Sequence, residues 1–292
     1  MKGQRAAWIF LAPALIVLTL FFFLPVLGAL AMSFTDFDLY SLSDARNLRF
    51  IGWDNYVALL REPLFWKSLG NTFYFVLAGV PLSIAASLGA ALLVNSKVAR
   101  FRYVFRTAFF APVVTTMVAV AVVWRYIFHT RYGYLNFGLS WLGIGPIDWM
   151  GDTHWSMPAI ILLAVWKNFG YNMIILLAAL QNIPEDLYEA ARIDGASGWQ
   201  LFRHITLPSL APILLLVSIL TMAGYFQLFA EPYVVTEGGP LQSTYSVLYL
   251  MYDEGFKWWS LGRASAVAFL LFVIMFAVTM LQLRLSRREG RA

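Results

Sequence analysis

SMPAIILLAVWKNFGYNMIILLAAL, residues Ser156–Leu180, decides the fold. The run carries a single charge, at Lys167, and is long enough as a helix to cross the roughly 30 Å hydrocarbon layer of a bilayer. A transmembrane β-barrel would use alternating strands of about ten residues, and this run neither alternates nor stops at that length. Five further stretches have the same character: Trp8–Met32, Leu69–Val94, Thr107–Phe128, Ser209–Ala230 and Gly262–Leu283. Six spanning helices, and so an all-α integral membrane fold, are expected. Pro25, Pro81 and Pro112 lie within or near these spans, where neighbouring helices and local adjustments can satisfy the freed backbone groups.

Composition agrees. Hydrophobic residues make up 60% of the chain and charged residues 13%, against about 25% charge in soluble domains. So little charge cannot cover a water-soluble surface, whereas lipid can face the apolar excess. The absence of Cys excludes disulfides, thiolate chemistry and cysteine metal sites, and leaves the compartment open. The net charge of +5 matters less than its placement. Twelve Lys and Arg fall on one side: Lys2, Arg5, Lys97, Arg100, Arg102, Arg106, Arg192, Arg203, Arg284, Arg287, Arg288 and Arg291. Six fall on the other: Arg46, Arg49, Arg61, Lys67, Arg131 and Lys257. The bias places both termini in the cytoplasm, in a bacterial-type inner (plasma) membrane. Lys2 and Arg5 could also open a signal peptide, but the apolar run is long and no small-residue cleavage site closes it, so an uncleaved first span is expected.

The external connections are then Ser33–Ser68, His129–Trp155 and Glu231–Leu261. The middle one sets Tyr132, Tyr134, Phe137, Trp141 and Trp149 among five glycines. Such rings favour the headgroup level of a bilayer, and docking of a partner protein is the alternative. None of these connections is long enough for a large external domain.

The connection between spans four and five is the best-shaped cytoplasmic handle. Pro184 suits a first helical position, Glu185 and Asp186 the first turn, and Gly195 the end of the helix. Ser197 and Gln200 have capping-box spacing, which predicts a second helix from Gly198 to Ile205 before Pro208 breaks the pattern. Small Ala190 and Ala191 would let a partner approach the backbone. Leu187 lies one turn from Ala191 on the same face. Tyr188 and Trp199 offer apolar contact, and Glu189, Arg192 and Asp194 charged contact. Local chemistry alone fits an ordinary interfacial helix equally well.

The full spacing is Glu189-Ala190-Ala191, three residues, Gly195, nine residues, Ile205, one residue, Leu207-Pro208. It resembles the coupling motif of permease subunits from binding-protein-dependent, ATP-driven (ABC) importers. Gln181–Tyr188, Asp194–Ser197 and Thr236-Glu237-Gly238-Gly239-Pro240 with Ser243-Thr244 look like the carbohydrate-uptake branch, with its maltose- and lactose-type inner-membrane permeases. The likeness covers residues 65–285, a transmembrane core between an N-terminal portion, 1–64, and a basic tail, 286–292. It implies a type I importer fold whose Glu189–Gly195 helix enters a cleft on a cytoplasmic ATPase, with Ile205–Pro208 fixing the return to the membrane. It also implies the partners: a second permease, usually a different chain, two ATPase subunits holding ATP and Mg, and an external sugar-binding protein. The chain lacks the extra N-terminal spans and long external insertion of the larger maltose permease and looks like the compact six-span members, which leaves the sugar open.

Several chemistries lack their residues. No Gly-x-x-x-x-Gly-Lys-Ser/Thr phosphate loop occurs, so no ATPase site and no bound cofactor are expected here. His129, His154 and His204 lie in different loops without metal-ligand spacing. Acidic residues are nearly absent from the spans, which disfavours a proton relay; Glu231, at the outer end of span five, fits a gating group or a plain terminal charge. Lys167 falls inside span four beside Trp166, Asn168, Tyr171 and Asn172, and span five adds Tyr225 and Gln227. Such groups can stack on a pyranose and bind its hydroxyls, or simply hold helices together. A phosphorylated substrate such as glycerol phosphate would want a basic lining, for which Arg125, Lys167 or Arg263 are available. An ion-coupled secondary transporter and a membrane scaffold are the other classes, and ATPase binding separates them from an importer.

Overall fold

A computed structural model describes residues 2–96 and 101–289. Lys97, Arg100 and Arg291, used above for orientation, lie outside them. The described chain is helical, and helices were the expectation wherever apolar runs exceed strand length. The main elements are α1 (Phe10–Met32), α2 (Pro63–Asn95), α3 (Arg102–Val114), α4 (Met117–Ile127), α5 (Ser156–Gln181), α6 (Glu185–Ile193), α7 (Gly198–Phe226), α8 (Ala230–Val235) and α9 (Leu261–Ser286). Among the described residues α1, α2, α5, α7 and α9 are each long and apolar enough to span a membrane. The α3–α4 pair makes a sixth span if its two halves are counted together, although they are bent by 105°.

That bend corrects the expectation of one continuous third span over Thr107–Phe128. Thr115 and Thr116 adopt ψ of 146° and 143°, so the helix stops and restarts. Pro112 lies in the last turn of α3, where its missing amide and ring weaken the helix. The Thr115 hydroxyl turns back to the Pro112 carbonyl, 2.6 Å away.

The fifth span differs in the opposite sense. No break separates Gly198–Ile205 from the span: α7 runs unbroken to Phe226 and ends there rather than at Ala230. A π-turn at Phe202–Thr206 explains how Pro208 is tolerated. The Leu207 amide reaches back to the Phe202 carbonyl, and the wider turn makes room for the proline ring just after it. Thr19–Phe23 does the same service ahead of Pro25 in α1.

The chain forms two compact units. One holds Met1–Trp66 and Val247–Ile274. In it the Asn55 amide donates to the Ser33 and Thr35 carbonyls at 2.9 and 2.8 Å, and the Gly262 amide donates to the Phe37 carbonyl at 2.9 Å. Arg263 bridges Glu62 at 2.6 Å and Glu254 at 2.7 Å. Burial pushes the Glu254 carboxyl above the usual range, and the Arg263 charge pulls it part of the way back.

The other unit holds Lys67–Ser246 and Met275–Ala292, and α5 is its centre. Ala159, Ile160, Leu163, Met173 and Leu176 on α5 are fully buried. Gly170 allows α3 to cross α5 closely, since a Cβ there would fall 2.0 Å from the Phe109 carbonyl oxygen. Close approach at small residues is the usual way membrane helices gain packing energy.

Candidate functional site

Local chemistry sets α6 at both ends. Pro184 stands just before the first helical residue, at φ −58° and ψ 132°, not inside the first turn as expected; its fixed φ serves either place and the extended ψ decides. Glu185 and Asp186 fill the first turn. At the other end the Ala196 amide donates to the Ala191 carbonyl at 2.9 Å and the Gly195 amide to Arg192 at 3.1 Å. This bond pair defines a left-handed glycine termination, and Gly195 has φ +81°. Ser197 then starts α7 with a complete capping box: its Oγ accepts from the Gln200 amide at 3.4 Å, and its amide donates to Gln200 Oε1 at 2.7 Å.

The result is a short, firmly ended helix. Glu189, Ala190, Asp194 and Gly195 are exposed and Ala191 is half-buried. Ile193 is 87% and Trp199 67% exposed, so both leave apolar surface open near the end of α6 and the start of α7. Tyr188 does not join that patch. Its hydroxyl lies 2.9 Å from that of Thr206, which is buried at the foot of α7 between half-buried Ile205 and exposed Leu207 and Pro208. This bond spans 18 residues and ties α6 to the helix that follows.

The polar residues on spans four and five take different tasks. Lys167 donates to the Thr115 carbonyl at 3.1 Å and, more weakly, to Pro112 at 3.4 Å. It thereby gives a donor to the Thr115 carbonyl at the α3–α4 break, whereas the Pro112 carbonyl already accepts from the Thr115 amide and hydroxyl. The Asn168 amide donates to Ala164 on its own helix at 2.9 Å. Asn172 donates to Thr221 Oγ1 at 2.8 Å, a buried bond between α5 and α7. Tyr225 is buried, stacked on Phe75 at 4.9 Å and seated over Gly79, where a Cβ would fall 2.5 Å from its ring. Trp166 meets Trp124 edge-on at 5.4 Å. Trp166, Tyr171 and Gln227 keep exposed surface. Glu231 lies on α8, beyond the end of α7. Arg125 donates to the carbonyls of Val234 and Val235 at 2.8 and 3.2 Å, closing the last turn of α8.

Two further connections are held by contacts that spacing alone does not show. Asn136 organises the aromatic connection: its amide donates to the Thr130 and Ile147 carbonyls, and its oxygen accepts from the Ile147 amide and the Trp149 indole. This frame presents exposed Tyr132, Tyr134, Phe137 and Trp141. The Thr236–Tyr245 loop places Glu237, Leu241 and Gln242 at positive φ. Such strain needs support from the surroundings. Lys67 donates to the Leu241 carbonyl at 2.6 Å, Asn71 to Gln242 and Tyr245 at 2.8 and 2.9 Å, and the Ser156 and Ser243 hydroxyls pair at 2.7 Å. Among the described residues no group of three or more His, Asp or Glu is placed to hold a metal ion.

Long apolar helices joined by a capped polar helix define a multi-pass membrane component. The chain belongs to the family of binding-protein-dependent transport system inner membrane components, which matches residues 79–291. It is 36% identical to the lactose transport system permease protein LacF of Rhizobium radiobacter, over 97% of this chain and 94% of that protein. It is 34% identical to the trehalose/maltose transport system permease protein MalF of Thermococcus litoralis, over 98% and 95%. The arabinooligosaccharides transport system permease protein AraP of Bacillus subtilis is 33% identical, over 97% and 89%. Among solved structures, a chain of a bacterial ABC transporter involved in the import of the acidic polysaccharide alginate shares the fold, with a TM-score of 0.81 over 98% of this chain and 96% of that one at 24% identity. The chain is thus one component of a binding-protein-dependent transport system of the inner membrane.

Proposed function

We propose that the chain is one permease half of a type I ABC importer that moves a neutral sugar or small oligosaccharide into the cytoplasm. Six spans, with α3 and α4 counted as one, and cytoplasmic termini complete the topology. The observation that carries the proposal is α6: a capped helix with exposed Glu189, Ala190, Asp194 and Gly195, bonded through Tyr188 to Thr206 at the foot of α7. An ATPase surface gripping α6 can pull on α7 directly. Closure of two ATPase subunits, which bind the ATP and Mg, draws this helix and its counterpart on a second, different permease chain together. The spans then open toward an external binding protein.

The names of the similar proteins, for lactose, trehalose/maltose and arabinooligosaccharides, support a sugar cargo. The cation pattern supports a neutral one. Arg125, Lys167 and Arg263, the residues available to line a path for glycerol phosphate, are each engaged with protein carbonyls or carboxylates. Trp166, Tyr171 and Gln227 keep surface for stacking and hydroxyl contacts, while Lys167, Asn168, Asn172 and Tyr225 shape the path from behind. The test is uptake of radiolabelled sugars and glycerol phosphate by vesicles holding the complete complex. ATP-dependent accumulation of a sugar is expected. Selective glycerol phosphate uptake would overturn the substrate class, and uptake driven by an ion gradient without ATPase would overturn the importer.

A further inference from the structure

A recess of about 500 Å³ lies between α6, the foot of α7 and the neighbouring ends of α2, α3 and α5. Arg102 and Arg192 line it, with Asn95 and Tyr188 as further polar groups. Leu92, Leu180 and Ile183 supply apolar wall, and Glu185 brings one carboxylate. Arg102 uses one Nη on the Ser96 carbonyl at 2.9 Å. A guanidinium carries five N–H donors, so most of its capacity is unused. The Arg192 guanidinium makes no hydrogen bond or ion pair among the described residues. Two guanidinium groups sharing a wall with one carboxylate leave a positive recess with unused donors.

Position selects the anion. Leu92 and Asn95 end α2, and Leu180 and Gln181 end α5, so the recess opens where two membrane-spanning helices stop. Lipid headgroups lie at that level. Leu92, Leu180 and Ile183 belong to the apolar cluster packed between those helices, so the recess has an apolar floor that suits a glycerol backbone better than a free ion. Basic pockets between transmembrane helices on the cytoplasmic side are suited to anionic headgroups. The volume falls within the roughly 300–1,000 Å³ range of ligand sites.

We propose that this recess binds the phosphate of an anionic phospholipid, held between Arg102 at the start of α3 and Arg192 in the last turn of α6. The lipid then braces α6 against the spans, so coupling depends on the composition of the inner leaflet. The proposal takes its cytoplasmic placement from the topology above but concerns a ligand other than the cargo. No bond is made or broken.

The test is native mass spectrometry of the assembled complex, released from nanodiscs containing phosphatidylglycerol and phosphatidylcholine. Uptake is measured in parallel, so that a failed importer assignment is seen separately. The wild-type complex should retain phosphatidylglycerol selectively. Arg102→Gln with Arg192→Gln should lower that retention about 30-fold, or about 2 kcal/mol at 1.4 kcal/mol per decade. Ile183→Trp keeps both charges but fills the apolar wall, and the same loss is expected; it also serves if the double variant fails to assemble. Undiminished retention in either assembled variant would overturn the proposal. So would displacement of the lipid by millimolar inorganic phosphate, which would reassign the recess to a soluble anion.

Discussion

Gly170→Ala should destabilise the protein even though alanine is the better helix former. A Cβ at Gly170 would lie 2.0 Å from the Phe109 carbonyl oxygen, 2.8 Å from its carbon and 3.1 Å from Phe110 Cα. The first contact is roughly 1.5 Å inside ordinary nonbonded approach, ~3.5 Å. All three atoms are backbone, so no rotamer change relieves the clash; α3 and α5 must separate. Overpacking typically costs about 1–3 kcal/mol, and a 2.0 Å contact with backbone falls at the upper end. Separation also strains the 3.1 Å bond from Lys167 to the Thr115 carbonyl, because both ends sit at this crossing. Against these stands about 1 kcal/mol of gained helix propensity, which leaves a net loss of about 2 kcal/mol. Gly89→Ala on α2 is the control, since nothing lies within 4 Å of its Cβ. It should be neutral or slightly stabilising. Thermal unfolding in detergent reads both. At about 2–4 °C per kcal/mol, Gly170→Ala should unfold roughly 5 °C below wild type. An unchanged midpoint in Gly170→Ala, or an equal fall in Gly89→Ala, would refute the close crossing.

Lys167→Met should cost about 1 kcal/mol by removing the charged donor to the Thr115 carbonyl; Lys167→Arg should recover much of it, and equal thermal stability of Met variant and wild type would contradict the capping role. Uptake loss in Lys167 variants is therefore informative about cargo only where stability is retained. Gly195→Pro removes the amide that donates to Arg192 and forbids φ near +81°; the complex should lose ATPase association, with pull-down of the ATPase as the check, while membrane insertion stays normal. Arg263→Ala leaves the buried Glu254 carboxylate unpaired and should destabilise by about 3 kcal/mol, read by thermal unfolding. Because the Glu254 carboxyl is raised above its ordinary value near 4.5, its contribution is fully present below that value and fades as pH rises through the folded one. Glu254→Gln should flatten that part of the stability profile, and an unaltered profile would count against it.

Much of the architecture is legible from local pattern. Apolar runs of about 25 residues read as spans because each backbone group in lipid must be satisfied within its own helix. The ends of α6 and the start of α7 were readable for a similar reason. Gly195 at positive φ and the Ser197–Gln200 capping box involve partners only a few residues apart, so spacing alone encodes them. Pro208 misled for a related cause: a proline reads as a break, but a π-turn next to it preserves the helix.

The interior of the bundle depends on what meets across it. Sequence places Lys167 among aromatics and amides but says nothing of the Thr115 carbonyl 52 residues away. That partner exists because α3 stops at Thr115, which its apolar composition does not announce, and because Gly170 lets α3 come close. Asn172 finding Thr221 and Arg263 finding both Glu62 and Glu254 are of the same kind. The sequence by itself determined a membrane-spanning helical chain, its orientation bias and a capped polar helix, because hydropathy and capping act within a few turns. Only the tertiary structure decided which polar groups are spent on packing and which keep open surface, because a buried hydrogen bond is set by where helices cross and not by where its residues lie in the chain.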